Sequence, residues 1–208
     1  PQVSRQLLEG CRRPEVALHC GQMVQACARC AGLVALLLEA RGDLALLALV
    51  GHESFEVSSD ALASLRALLL AQAPVAASHL EGGFEGFFGA LNALLLRGDY
   101  VPRRQALGLL GEIMGMPVFE RVARRYLSSE GFLRIHMNLL RDTSKPIQVG
   151  ALHVVRRFLA GPDVPAAVRQ TLRRNRSRLM ELLRTLARLR GDDELFVQEA
   201  RAAMGSLE

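Results

Sequence analysis

With 208 residues, half of them hydrophobic and 23% charged, the chain can bury a continuous core, and its composition is not that of a disordered segment. Its apolar content is mostly Leu and Ala, aromatics are only 5% and Trp is absent, which disfavours β-branched, aromatic-rich strands and leaves an all-α class. The net charge of +5 is carried almost wholly by arginine, since Lys145 is the only lysine, and it reads as base composition rather than selection for guanidinium chemistry.

The chain opens at Pro1 without a methionine or a secretory or transit pattern, already inside a helical motif, so the expectation is that amino-terminal repeats are missing. Cys11, Cys20, Cys27 and Cys30 share one short window, whereas a secreted disulfide framework would spread its cysteines between segments that need stapling. A reduced, cytoplasmic protein is expected. Cys27-Ala28-Arg29-Cys30 has redox or zinc spacing, but no second CxxC completes it, and Cys20 and Cys27, seven apart on a helix, are expected on one buried face. The apolar runs Leu33 to Leu38 and Leu44 to Val50 fall short of the roughly 18 residues a membrane span needs.

His52-Glu53 begins like a zinc-protease motif, but position 56 is Glu and the two-imidazole face cannot form. His19, His79, His136 and His153 are scattered, and His153, directly after a core pair, is expected to have a structural, hydrogen-bonded role. Gly82-Gly83-Phe84-Glu85-Gly86 has no strand before it and no Lys-Ser/Thr after it, so it reads as a loop opening a helix over Phe87 to Leu96 rather than a phosphate cradle. The turns Arg97 to Pro102 and Arg141 to Pro146 carry an Asp or Ser able to cap a helix that starts near the proline. With no nucleophile elbow, nucleotide fingerprint or EF-hand loop, a non-enzymatic protein without cofactor or metal is expected.

The chain repeats itself. An Ala-Leu pair recurs at 17/18, 61/62, 106/107 and 151/152, with spacings of 44, 45 and 45. Gly21, Leu65, Leu110 and Val155 follow three residues after each Leu, and Val24, Leu68, Ile113 and Phe158 follow six after it, the stripe of a helix with one buried face. Leu49-Val50, Leu94-Leu95 and Leu139-Leu140 precede the last three pairs at a constant offset, so each unit is expected to hold a helix, a polar turn and a second helix. A period near 45 fits an armadillo/HEAT-like helical repeat solenoid, here a single domain over 1–208 with about four repeats; a looser helical bundle is the rival.

Toward the end, eight arginines lie between Arg169 and Arg190 against one acid, Glu181. Such a segment can bind nucleic acid or an anionic membrane. It lacks aromatics for base stacking, however, and Leu172, Leu179, Leu182, Leu183, Leu186 and Leu189 form a stripe expected to pack inward, so nucleic acid is the alternative rather than the first reading.

Several stretches together carry a family resemblance: Pro14 to Gly21, Phe55 to Leu62, Tyr100 to Glu112 and Met137-Asn138-Leu139-Leu140-Arg141-Asp142. They resemble the calcium-binding protein 39, or Mo-twenty-five, scaffolds from about residue 5 to about 190. The resemblance implies a monomeric armadillo scaffold that binds a sterile-twenty-type kinase or pseudokinase and holds it in its active arrangement. It places a concave-face contact row on Phe55, Tyr100 and Arg104, and a pocket for a Trp-Glu-Phe type tail on Arg134, Met137 and Arg174. The repeat register independently gives Phe55 and Tyr100 the same place, six residues before Ala61 and Ala106; the competing reading makes both rings staples packed on the core. Gly108, Pro117 and Glu120 depart from basic and aromatic positions of the family, which weakens the expectation for a catalytic kinase relative to the tail pocket.

Overall fold

A computed structural model describes residues 2–161 and 164–207. Among the described residues there are thirteen α-helices, one 3₁₀ turn over Pro117–Phe119, and no strand. In chain order the helices are α1 (Gln2–Gly10), α2 (Ala17–Cys27), α3 (Ala31–Glu39), α4 (Gly42–Leu49), α5 (Phe55–Leu70), α6 (Ala73–Gly82) and α7 (Phe84–Arg97). There follow α8 (Tyr100–Gly115), α9 (Glu120–Leu127), α10 (Glu130–Leu139), α11 (Lys145–Ala160), α12 (Ala166–Leu189) and α13 (Glu194–Gly205). None of these helices is long and apolar enough to cross a membrane.

The chain forms two compact units, Pro1–Val122 and Ala123–Glu208. In the first, α2, α5 and α8 carry the recurring pair; α2 packs on α5, α5 on α8, and α4 and α7 back α5 and α8 respectively. In the second, α10 packs on α11 and α12, and α13 on α11 and α12. The Ala of every pair is buried, as are Gly21, Leu65, Leu110 and Val155 and the deeper row Val24, Leu68, Ile113 and Phe158. The Leu is less uniform: Leu107 and Leu152 are buried, Leu62 is half-buried and Leu18 is exposed.

Each of the last three repeats has three helices rather than the expected two. Short helices α3 and α6 precede the α4/α5 and α7/α8 pairs, and in chain order the 3₁₀ turn and α9 precede α10 and α11. The sharp turn between α5 and α6, 96° across a short break at Ala71 and Gln72, sets the short helix across the long one. A third helix folds the unit as an armadillo repeat.

One device recurs at fixed register. The residue three before the Ala is Ser58, Arg103 or Gln148, and each donates a side-chain hydrogen bond back to a carbonyl of the preceding turn: Val50 O at 2.6 Å, Gly98 O at 2.9 Å and Asp142 O at 2.5 Å. Helix and turn are thereby tied at the same point in the last three repeats. The caps differ from expectation. Ser54 does accept from Val57 N, but Asp99 and Ser144, at the equivalent positions, make no side-chain cap bond. Asp142 instead accepts from Ser144 N at 2.8 Å, while Ser129 and Asp193 cap α10 and α13. Helix α7 starts at Phe84, so the expected glycine loop shrinks to Gly83; Phe84 and Phe88 are buried against one another, which pulls the first turn into the helix. At the α7/α8 turn a Cβ on Gly98 would lie 2.5 Å from Leu94 O, so only glycine allows this close approach.

Candidate protein-docking sites

Ser54 ends the turn before α5 and Asp99 the turn before α8, so Phe55 and Tyr100 are each the first residue of a long helix. A ring at that place can fold onto the core or stand in solvent. Phe55 is 68% exposed and Tyr100 45%, which rules out the core-staple reading. Val101 and Arg104, on the first turns of α8, are exposed as well, and α5 lies against α8, so the two rings head adjacent helices of one unit. Further along, Arg66 on α5 pairs with Glu112 on α8 at 2.8 Å. The position of Phe55 and Tyr100 recurs in the next repeat as Lys145, which is held at 3.3 Å by Asp193. Asp193 sits below the usual carboxylate range because it accepts from Phe196 N, with Lys145 adding to the effect. Gly108 is exposed with open space around its Cβ position, and Pro117 and Glu120 are exposed too.

In the second unit, α10 and α12 leave a cleft of about 300 Å³ between them. One wall is Arg134, Met137, Asn138 and Arg141; the other is Asn175, Arg178, Leu179 and Leu182. Both walls have the i, i+3, i+4, i+7 spacing of a helix face, Arg141 continuing it into the turn just past the end of α10. Met137 and Leu182 are half-buried and Leu179 is buried, giving an apolar floor under three guanidinium groups and two amides. Arg134 pairs with Glu130 one turn earlier at 2.5 Å, and the Thr171 hydroxyl donates to the same oxygen at 2.6 Å. The Thr171 hydroxyl, then Arg134, then Arg174 hold the Glu130 carboxyl below its ordinary value, against the opposing effect of burial.

The structure thus brings Arg134 and Met137 to one cleft and sets Arg174 one residue off the lining stripe, where its charge acts on Glu130. Sequence reading missed Arg141 and Arg178. The signal was present: Arg141 is four beyond Met137, and Arg178 and Leu182 continue the stripe that begins at Asn175. Neither Arg141 nor Arg178 stands within ion-pair distance of a carboxylate among the described residues.

All four cysteines are free; Cys11 is buried, but Cys20 and Cys27 are half-buried and Cys30 is exposed, so the expected cysteine face is not a buried one. Burial pushes the Cys11 thiol up to about 11, with Cys20 and Asp60 adding to it. No group of three or more His, Cys, Asp or Glu able to hold a metal occurs among the described residues. His79 meets the buried Asp43 at 3.2 Å, and His153 is an exposed residue 3.7 Å from Glu199 rather than a core histidine. On α12, Leu172, Leu179, Leu183 and Leu186 are buried, whereas Leu182 is half-buried and Leu189 is 75% exposed.

Known proteins bear on this arrangement. A Degreening-related gene dee76 protein of Auxenochlorella protothecoides is 37% identical over 96% of this chain and 62% of its own length. A Mo25-like protein of Schizosaccharomyces pombe is 35% identical over 100% of this chain and 63% of its own. Calcium-binding protein 39-like of Homo sapiens is 33% identical over 96% of this chain and 59% of its own. The chain spans about three fifths of the length of these relatives. Among solved structures, an engineered protein matches with TM-score 0.64 and 18% identity over 98% of this chain and 47% of that one. A designed armadillo repeat protein matches with TM-score 0.51 and 17% identity over 98% of this chain and 99% of that one, which shows the fold alone. The model of the family described as Mo25-like matches residues 1–208, so the chain belongs to the Mo25-like family.

Proposed function

We propose that this chain is a non-catalytic, monomeric, cytoplasmic scaffold that binds a sterile-twenty-type protein kinase or pseudokinase at two places. Membership of the Mo25-like family supports a scaffold role. The first place is the exposed row of Phe55, Tyr100 and Arg104, where two rings and a guanidinium form the kind of anchor that dominates interface energetics. The second is the cleft of Arg134 and Met137, which takes a chain end of the Trp-Glu-Phe type, with Arg174 adding a positive charge beside it, near Glu130.

One observation carries the second assignment: an apolar floor of Met137, Leu179 and Leu182 lies beneath Arg141 and Arg178, neither of which is matched by a carboxylate among the described residues. An aromatic side chain can fill against the thioether, and a carboxylate can accept a forked pair of hydrogen bonds from an uncommitted guanidinium. A labelled peptide ending in Trp-Glu-Phe should bind the chain, and Met137→Ala or Arg178→Glu should each weaken it by about tenfold or more. Retained affinity in both variants rejects the cleft as the tail site.

The seven arginines of α12 favour the alternative, nucleic acid, on charge. Phe196, the first ring after them in the sequence, is buried under the Arg190 guanidinium at 5.3 Å, so it offers no face for a base to stack on.

A further inference from the structure

Helix α12 opens onto a second cleft, formed with the ends of α11 and α13. Arg169, Arg173 and Arg176 recur at i, i+4 and i+7 and stand above one another on one helix face, rotated away from the Asn175, Arg178 and Leu182 stripe. They line a cleft of about 460 Å³ whose apolar surface comes from Leu159, Leu172 and Leu207. No acidic side chain lines it among the described residues. Arg66 is answered by Glu112 at 2.8 Å and Arg156 by Glu199 at 2.9 Å. Arg173 has no such answer among the described residues, and Arg169 uses one guanidinium nitrogen on Val164 O at 2.8 Å, which fixes the fork at the cleft while its other donors remain available.

We propose that this cleft binds a peptide segment bearing a phosphoserine or phosphothreonine, with the phosphate between Arg169 and Arg173 and its apolar neighbours against Leu159, Leu172 and Leu207. Two arginines one helical turn apart, their Cβ atoms about 6 Å from each other, can bring two guanidinium groups to a dianion with three acceptor oxygens, whereas a single carboxylate is already satisfied by one fork. The leucine surface suits peptide side chains, and no ring lines the cleft to receive a base. This site is separate from the tail cleft and does not rest on it.

The test is fluorescence anisotropy of the 208-residue chain with a labelled peptide carrying one phosphoserine between leucines, beside its Ser and Glu counterparts. The phosphopeptide is expected to bind about tenfold more tightly than the Ser form. Arg173→Glu and the milder Arg173→Gln should remove that advantage, with an unchanged helical circular dichroism signal because Arg173 is exposed. Arg184→Glu makes the same charge change on the same helix outside the cleft and should leave the advantage in place, as should Met137→Ala. The proposal is overturned if phosphorylation brings no gain, or if Arg184→Glu costs as much as Arg173→Glu, which would mean only a diffuse positive field. It is also overturned if a single-stranded RNA of equal charge binds more tightly and is lost with Arg173→Glu, which would make the surface a nucleic-acid site.

Discussion

His136 is wholly buried on α10, with its Nε2 2.8 Å from the Tyr126 hydroxyl and its ring beside that of Phe158. Its Nδ1 has no hydrogen-bond partner among the described residues, and burial pushes its pKa from 6.5 down to about 3, so the ring is neutral in the folded protein. Between those two values an unfolded chain takes up the proton and the folded one does not, so stability from this group is complete above pH 6.5 and is lost as pH falls toward 3. His136→Gln keeps a polar partner for Tyr126 and removes the titration. Urea midpoints measured from pH 7 to pH 5 should fall for the parent chain and fall less steeply for the variant; parallel slopes would assign the acid sensitivity to another group. At this scale the sequence was least legible. A lone histidine does not announce whether it faces solvent or core, which is why the structural role was expected of His153 although the buried ring is His136, and Arg174 and Arg178 differ only by which side of a buried stripe each falls on.

The long helix of each of the last three repeats is fastened to its preceding turn by one side chain at a constant register. Ser58 is the cleanest case, since its buried hydroxyl donates to Val50 O and Ser58→Ala would leave that carbonyl without this donor. A loss of about 1–2 kcal/mol in denaturant unfolding is expected, larger than for Ser59→Ala one residue on, where the side chain is half-buried and has no such bond to lose. Equal effects would mean the tie contributes nothing. The stripe that fixes these helices was readable because it repeats four times with apolar positions in step. The short helices were not: α3, with nine residues, is almost wholly apolar and has no polar face to mark a period, α6, with ten, is too short for its few polar residues to establish one, and a turn of one or two residues between helices leaves little punctuation. Capping was misread for a related reason, because Asp99 and Asp142 look alike in sequence while only Asp142 receives a turn N–H.

For the molecule as a whole, the docking row and the tail cleft fall in different compact units, Pro1–Val122 and Ala123–Glu208. Family membership was legible because it rests on combinations of residues spread over the whole chain, where no single contact matters. Two sites that share no side chain should contribute independently to the first approximation, so Phe55→Ala and Met137→Ala are expected to weaken a tailed pseudokinase by free energies that add within about 0.5 kcal/mol. Linked engagement adds a second signature: once the tail is bound, the kinase-fold contact becomes intramolecular and gains effective concentration. Deleting the partner's tail should therefore abolish the effect of Met137→Ala while leaving that of Phe55→Ala intact, and the tail peptide alone should be insensitive to Phe55→Ala. Titration calorimetry with tailed and tailless partner separates these cases. A tail peptide whose affinity drops with Phe55→Ala, or a double variant far from additive, would mean that one contiguous surface does the binding and that the two-site reading fails.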